Sequence, residues 1–448
     1  MGGDEMELKR IIKLINDNKD RVNSILENKK YYENNNKVKE KGIVSAQVMG
    51  NDPLRNADNR IAHNFHELLV DEKASYLFTY PVIFDIDNNK AINKKVANIL
   101  GGNFAKKSQY LCVEASNCGV AWLHYWIAEN GEFKFEKVKT EEIIPIYSSD
   151  LSTELQGVIR YFNSVEQLAG NEDKLYTCVE YWDSKELTKY KFEGNKLNES
   201  PVSMEVIEHE FERVPFIEFD NNSKKQSDIS KYKDLIDLYD KVMSGFANDL
   251  EDIQQIIYIL ENYGGTDLKQ FLGDLKRYKA IKTNSGIQGA SGGVKTLQIE
   301  IPVEARKVIL DILKKQIYES GQGLQQDIES FGNASGVALK FFYRKLELKS
   351  GLTETEFRDG FDILIKAILK HLNIQGEMIQ QTYTRNMISN DLENAQIAQA
   401  SVGVIPNKYI LRNHPWIDDP EEAEELMKKE NEEIDPYLDL NNKGDGNE

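Results

Sequence analysis

A glycine-rich segment near residue 290 contains the pattern most typical of a nucleophile. Gly289-Ala290-Ser291-Gly292-Gly293 matches G-x-S-x-G, in which a sharp turn between a strand and a helix exposes a serine to a neighbouring base. Here the pattern lies between two strand-like stretches, and no histidine occurs between His209 and His371. A flexible hairpin loop is therefore favoured over a serine hydrolase centred on Ser291.

The same segment continues to Lys295 and Thr296, where it is similar to a phosphate-binding loop. Such a loop needs a glycine directly before the lysine, so that backbone N–H groups can wrap the phosphates. Val294 occupies that position, and no helix is predicted to begin at Lys295. Nucleotide binding is therefore not expected.

Two histidines, His63 and His66, stand three residues apart with Glu67 beside them. On a helix this spacing can present two imidazoles to a metal ion. No third ligand stands at a diagnostic spacing, so a pair of exposed helix residues is favoured over a metal site. We expect no metal ion, no cofactor and no catalytic residue, and hence no enzyme.

The composition is that of a folded, acidic protein. The 448 residues are 40% hydrophobic and 29% charged, and this length predicts about two to four compact units. Three cysteines are too few for a disulfide framework and indicate a reducing compartment. The net charge of −18 argues against a conventional DNA-binding protein, which gains affinity by neutralising phosphates. No apolar run is long enough to cross a bilayer and the start is polar, so neither a membrane-spanning nor a secreted protein is expected.

Helical and strand-like patterns divide the first half of the chain. Helical spacing of apolar residues predicts helices over residues 7–32, 58–80, 91–100 and 104–117. Strand-like patterns are predicted over residues 120–127, 133–138, 143–147, 158–162, 176–182 and 216–219. Residues 220–228 contain no apolar side chain and are the best candidate for a linker.

A stalk with a small tip is predicted after this linker. Apolar residues recur at helical spacing over residues 229–262, which predicts one 34-residue helix. A small insert over residues 266–302 follows, with strands predicted at residues 280–283 and 294–301. A returning helix is predicted over residues 303–320. Its apolar face consists of Val308, Ile309, Ile312, Leu313 and Ile317.

The last part of the chain is mainly helical. A loop over residues 321–336 leads into a helical region over residues 337–372, with an interruption predicted at Ser350-Gly351. The remaining predicted elements are a strand at residues 381–384 and helices over residues 390–402, 407–412 and 420–433. Residues 418–448 carry 13 acidic and 3 basic residues, which indicates a solvated acidic tail.

Several short motifs follow one another along this framework. They are Asn59-Arg60-Ile61, Asn64, Leu69-Val70-Asp71, Lys73 to Pro81, Gly131 with Phe133 and Phe135, Glu142 to Tyr147, Ile159 to Phe162, Phe331 to Lys340, Thr384-Arg385-Asn386 and Asp418 to Glu421. In this order they resemble the portal protein family of tailed bacteriophages, of the type found in long-tailed phages and prophages of Gram-positive bacteria. Thr79 stands where the family has a glycine. The resemblance covers residues 55–430. It rests on the order of the motifs, since no single motif is decisive.

The resemblance implies an α+β, portal-like fold with a mixed α/β wing, a helical stem carrying a small α/β clip, and a helical C-terminal crown. The implied segments are the wing (1–228), a stem helix (229–262), the clip (263–302), a second stem helix (303–320), a tunnel loop (321–336), a wing helix with a return strand (337–385), and the crown with the acidic tail (386–448).

The resemblance also implies the function and the partners. The chains would form a homo-oligomer, a dodecameric ring at one capsid vertex, through which double-stranded DNA is packaged and ejected without sequence specificity. The implied partners are the large terminase, a head-to-tail connector or adaptor protein, and the major capsid and scaffold proteins. The protein would be assembled in the cytoplasm of the bacterial host and reside in the virion, with no role for a membrane.

Three groups of residues are implied to serve this function. The tunnel loop would present Gln325, Gln326, Asp327, Glu329 and Asn333 to DNA. The stem would present Lys307, Lys314 and Lys315 to the channel, and the clip would dock partners through Lys276, Arg277, Ser285, Gly289 and Lys295. An oligomeric coiled-coil adaptor or capsid scaffold without a channel is the alternative; it explains the long helices but not the β-rich first half.

Overall fold

The computed structural model describes residues 2–40, 57–151, 153–167, 173–194, 196–197, 199–252, 257–261, 293–297, 302–324, 336–376, 378–386, 391–412, 417 and 420–434. Helices and sheets are both extensive in these residues, and every strand ladder among them is antiparallel. The expected α+β fold class is confirmed. Among the described helices, none combines the length and the hydrophobicity that a membrane span requires.

The N-terminal helices are α1 (Gly2–Asp17), α2 (Lys19–Tyr32), α3 (Phe65–Phe78), α4 (Lys90–Leu100) and α5 (Phe104–Cys118). The last two agree closely with the prediction, whereas the single helix predicted over residues 7–32 is two helices.

The helix predicted from residue 58 begins only at Phe65. The backbone N–H groups of Asn59, Ile61 and His63 donate instead to side chains of a later helix: Asn248, Ser244 and Asp240. Because these N–H groups already have acceptors, the backbone before Phe65 is satisfied without forming helical hydrogen bonds.

Two sheets form the β-rich region. Strands β4 (Ile143–Tyr147), β5 (Leu155–Gln167), β6 (Asp173–Trp182), β7 (Glu186–Glu193) and β8 (Ser203–Glu208) lie in chain order in one sheet. Strands β2 (Val120–Ile127), β3 (Phe133–Val138) and β9 (Phe216–Asp220) form the other, with β2 in the centre. Strand β1 (Ile83–Ile86) pairs with β12 (Ile379–Thr382), near the strand predicted at 381–384.

The two helices that we call the stem are α6 (Lys233–Asp252) and α7 (Val303–Gly321). The single helix predicted over residues 229–262 is wrong, because α6 ends at Asp252 and β10 (Ile257–Glu261) pairs with β11 (Gly293–Leu297). The sequence offers a physical reason: residues 256–260 are five consecutive apolar residues, a pattern that suits a paired strand better than one face of a helix.

Helix α8 (Gly336–His371) runs without a break through Ser350-Gly351, so the predicted interruption is wrong. Its second half fills the main core, where Phe357, Phe361 and Ile365 are fully buried. At Gly360 the helix lies so close to β9 that a Cβ atom would stand 2.6 Å from the ring of Phe219. These contacts outweigh the low helix propensity of the glycines.

The chain continues with α9 (Asp391–Ala400), α10 (Asn407–Arg412) and α11 (Pro420–Ile434). The three C-terminal helices predicted from the sequence are therefore present.

Candidate functional site

The two reaction motifs near residue 290 lie mostly outside the described residues, which include only residues 293–297 of this segment. Ser291 lies outside them. Lys295 lies within β11, opposite Ile259 of β10. The pairing places Lys295 on a strand and not at the start of a helix, where a phosphate-binding loop would need it.

The two histidines near α3 have separate partners. His63 precedes the helix, and its Nδ1 atom lies 2.8 Å from Asp240 Oδ1. His66 is fully buried, and its Nδ1 atom lies 2.8 Å from the Tyr232 hydroxyl. The prediction of two exposed helix residues is wrong, because the helix begins later than predicted and turns His66 towards the core. The described residues contain no group of three or more metal-ligating side chains.

Burial lowers the pKa of His66 to about 4, from an ordinary value near 6.5. Between pH 6.5 and 4 the unfolded chain therefore binds a proton that the folded chain excludes, so the free energy of unfolding rises with pH across this window. We expect replacement of His66 by glutamine to flatten this rise. Denaturant titrations of both proteins at several pH values measure it, and equal slopes would contradict the prediction.

The stem helices pack against each other and leave an apolar surface uncovered. Leu313 and Ile317 are buried, whereas Val308 and Ile312 are 54% and 50% exposed and Ile309 also faces solvent. We call these three exposed residues the stem patch. Only two of the five residues predicted for the apolar face of this helix are therefore buried within one chain.

The lysines proposed to face the channel are exposed on the same helix: Lys307, Lys314 and Lys315. Lys307 and Lys314 are seven residues apart and share one face. Lys315 follows Ile312 by three residues and borders the stem patch. The stem thus presents Lys307 and Lys314 on one side, whereas Lys315, seven residues after Val308, lies beside the apolar residues of the stem patch.

A second exposed apolar surface lies on α8. Phe341, Leu348 and Leu352 are exposed and are spaced seven and four residues apart, which places them on one side of the helix. We call them the α8 patch.

The start of the loop after α7 packs directly on α3. A Cβ atom at Gly321 would lie 2.5 Å from Leu69 Cδ1, and one at Gly323 would lie 2.2 Å from Leu69 Cδ2. The Leu324 N–H donates to Glu72 Oε2 at 3.0 Å. Glycine at 321 and 323 is what lets the backbone approach α3 this closely. The five polar residues predicted to face DNA lie outside the described residues.

Next to this loop start lies a buried ionic cluster, which we call the stem-root cluster: Lys73, Asn221, Asp228 and Lys349. Asp228 Oδ2 lies 2.9 Å from Lys73 Nζ and 2.8 Å from Lys349 Nζ. Lys73 also donates to Asn221 Oδ1 at 2.6 Å, and the Asn221 side chain donates to Asp228 Oδ1 at 2.8 Å. Lys73 has no exposed surface, and Lys349 is only 6% exposed.

The cluster's charges set the protonation of its carboxylate. Burial alone would raise the pKa of Asp228, but the ammonium groups of Lys349 and Lys73 hold it far below its usual range. Burial lowers the pKa of Lys349, and Asp228 opposes that effect. Residues 220–228, predicted to be a linker, supply two members of this buried cluster. The linker prediction is therefore wrong at both ends of the segment, where Lys73 binds Asn221 and Lys73 and Lys349 bind Asp228, whereas residues 223–226 are exposed.

The clip residues can be located only in part. Lys295 lies in β11, and Lys276, Arg277, Ser285 and Gly289 lie outside the described residues.

Comparison with known proteins supplies the family. Residues 11–437 match the sequence model of a protein family described as "Phage portal protein, SPP1 Gp6-like". The chain belongs to this portal protein family. Two relatives support the assignment: the portal protein of Clostridium phage phiCD119 is 62% identical over 95% of this chain and 96% of its own length, and that of Bacillus phage SPP1 is 30% identical over 93% and 84%.

Solved structures of gene transfer agent particles are more distant. The neck of an empty particle, computed with C6 symmetry, is 12% identical with a TM-score of 0.47, over 83% of this chain and 92% of that one. The neck of a native particle, computed with C12 symmetry, is 11% identical with a TM-score of 0.44, over 77% and 87%.

Family membership confirms the resemblance drawn from the motifs and, with it, the role of a portal protein in a phage particle. Membership in the portal family decides against both alternatives, the oligomeric coiled-coil adaptor or capsid scaffold and the serine hydrolase.

The sequence analysis did not predict the stem-root cluster. Lys73 and Asp228 stand 155 residues apart, and although Lys73 begins one of the family motifs, nothing in the sequence pairs it with Asp228. The one available signal was that an apolar-free segment, residues 220–228, directly precedes a long amphipathic helix.

Proposed function

We propose that the chain assembles into a closed dodecameric ring at one capsid vertex, and that double-stranded DNA is packaged and ejected through its central channel. The observation that carries this proposal is family membership along residues 11–437, almost the whole chain. The proposed segments remain those of the sequence analysis, except that the helical part of the first stem segment ends at Asp252.

The uncovered apolar surfaces support assembly. A ring of identical subunits uses two different surfaces of each chain, one facing each neighbour. The stem patch and the α8 patch are two such surfaces, each apolar and each on a long helix. Burial of such residues between subunits would stabilise the ring through the hydrophobic effect.

The charge of the chain supports passage of DNA without sequence recognition. With a net charge of −18, the protein as a whole repels phosphates, so it would not hold DNA in place through extensive counterion release. Lys307, Lys314 and Lys315 would provide local cations along the stem. The tunnel loop would meet DNA through Gln325, Gln326, Asp327, Glu329 and Asn333.

The proposed partners bind at two places, the clip and the outside of the ring. The large terminase and later the head-to-tail connector would dock on the clip through Lys276, Arg277, Ser285, Gly289 and Lys295. The major capsid and scaffold proteins would surround the ring, which is assembled in the host cytoplasm without a membrane. We propose that the chain needs no cofactor and catalyses no reaction; any ATPase activity of packaging would belong to the terminase.

The tunnel loop can be tested by reversing its charge. We expect Asp327→Lys combined with Glu329→Lys to leave rings intact but to lower the fraction of DNA-filled particles, because cations in the loop would bind passing phosphates. Negative-stain microscopy measures ring formation and a packaging assay measures filling. Glu129→Lys with Glu210→Lys, two exposed carboxylates of the β-rich region, is the matched control. Normal rings with unchanged filling and ejection would refute the tunnel-loop assignment.

A further inference from the structure

The stem-root cluster joins parts of the chain that are distant in sequence. Lys73 belongs to α3, Asp228 lies in the turn just before α6, and Lys349 belongs to α8. Asn221 follows β9, and its backbone carbonyl accepts a hydrogen bond from the Thr353 hydroxyl of α8 at 3.2 Å. One buried site therefore contacts the wing, the base of the stem and the helix that follows the loop.

Lys349 makes one further contact that an ion pair does not require. Its Nζ atom donates to the backbone carbonyl of Gly321, the last residue of α7, at 3.0 Å. The chain then leaves the helix through Gln322, whose φ of 56° is left-handed. The last carbonyls of a helix lack intrahelical donors and carry partial negative charge. The contact therefore satisfies the helix end and offsets the second lysine charge, which Asp228 alone does not balance.

We propose that Lys349 is a positioning residue, which holds the C-terminus of α7 against Asp228 at the base of α6 and so sets where the loop over residues 321–336 begins. That this loop serves the channel rests on the proposed function; the positioning itself does not. Lys73 and Asn221 would keep the Asp228 carboxylate in place for this task.

A purely stabilising role is the weaker explanation of the cluster. Buried ion pairs contribute little net stability compared with apolar residues of similar size, because both charges lose their hydration. The cluster contacts the end of α7, the turn before α6 and two further helices, α3 and α8, and its hydrogen bonds specify how these are arranged. Apolar side chains in the same place could not do so.

Hydrogen exchange of the backbone amides just after α7 reports directly on how the end of this helix is held. Gln322 N donates to the Glu319 carbonyl at 3.3 Å, Gly323 N to the Tyr318 carbonyl at 3.1 Å, and Leu324 N to Glu72 Oε2 at 3.0 Å. In the full-length protein we expect Lys349→Met to raise hydrogen exchange of these three amides at least about tenfold, with exchange in β5 and β6 unchanged. Lys345→Met, at an exposed position one turn earlier on α8, should leave all of them unchanged. Unchanged exchange at 322–324 in Lys349→Met would overturn the proposal.

A neutral triple variant separates positioning from stability. Lys73→Met, Asp228→Leu and Lys349→Met together remove every charge of the cluster, so no buried charge is left unpaired. We expect this variant to unfold at a temperature near that of the wild type while exchange at 322–324 stays raised. If unfolding temperature and protection at 322–324 were both restored, the role of the cluster would be structural only and the proposal would fail. Ring formation, observed by microscopy on the same samples, tests the proposed function separately.

Discussion

Replacing Asp228 by asparagine is expected to lower the free energy of unfolding by about 3–5 kcal/mol, because removal of one partner leaves buried charge uncompensated. The variant keeps the shape of the side chain but leaves the ammonium groups of Lys73 and Lys349, at 2.9 and 2.8 Å, without their anion. Denaturant unfolding followed by circular dichroism measures the change.

Asp234→Asn is the control for this experiment. Asp234 is exposed in the first turn of α6, six residues after Asp228, where it interacts with the helix dipole, so its loss should change the free energy of unfolding by at most about 1 kcal/mol. A similarly small effect of Asp228→Asn would contradict the arrangement of charges described above.

Placing two carboxylates in the stem patch is expected to abolish ring formation. Val308→Asp with Ile312→Asp should be tolerated by the single chain, because both side chains are at least half exposed there. In a ring that buries this patch, both carboxylates would lose their hydration, and Lys315, which borders the patch, could pair with only one of them, so the cost is several kcal/mol per subunit interface. Light scattering should then report the single-chain mass of 51.4 kDa in place of an oligomer.

The control adds the same charges elsewhere. Leu151→Asp with Val165→Asp changes two exposed apolar residues of the β-rich region and should leave rings intact. If the stem-patch variant formed normal rings, this patch would not be a subunit interface. Disruption by both pairs would show that the added charge, not its position, was responsible.

The regular elements of this portal protein could be predicted well where one face of an element is buried. Strands β2, β3 and β4 match their predicted bounds, and helices α4 and α5 differ from theirs by a single residue. In these elements the apolar residues repeat with the period of the element, and burial of that face is what stabilises it. Strands β7 and β8 were missed. Strand β7 does alternate, with Tyr190 and Phe192 buried and the lysines beside them less so, so its pattern was present in the sequence. Every residue of β8 is exposed, so no buried face marks that strand.

Errors were concentrated where tertiary contacts override local preference. Helix α3 begins late because side chains of α6 accept the hydrogen bonds of the backbone before it. Helix α8 continues through Ser350-Gly351 because its two sides are held by the stem-root cluster and the main core. Neither partner is adjacent in sequence, so no local pattern could reveal these contacts.

Periodicity and motif order are properties of neighbouring residues, and they were enough to predict the α+β class, most helices and strands, and the portal family. The packing of distant elements was needed to show that Asp228, in an apparent linker, lies between the lysines of two helices and that Lys349 reaches the end of α7. A buried charge is stable only where its partners meet it, and no local pattern reveals where distant elements bring those partners together.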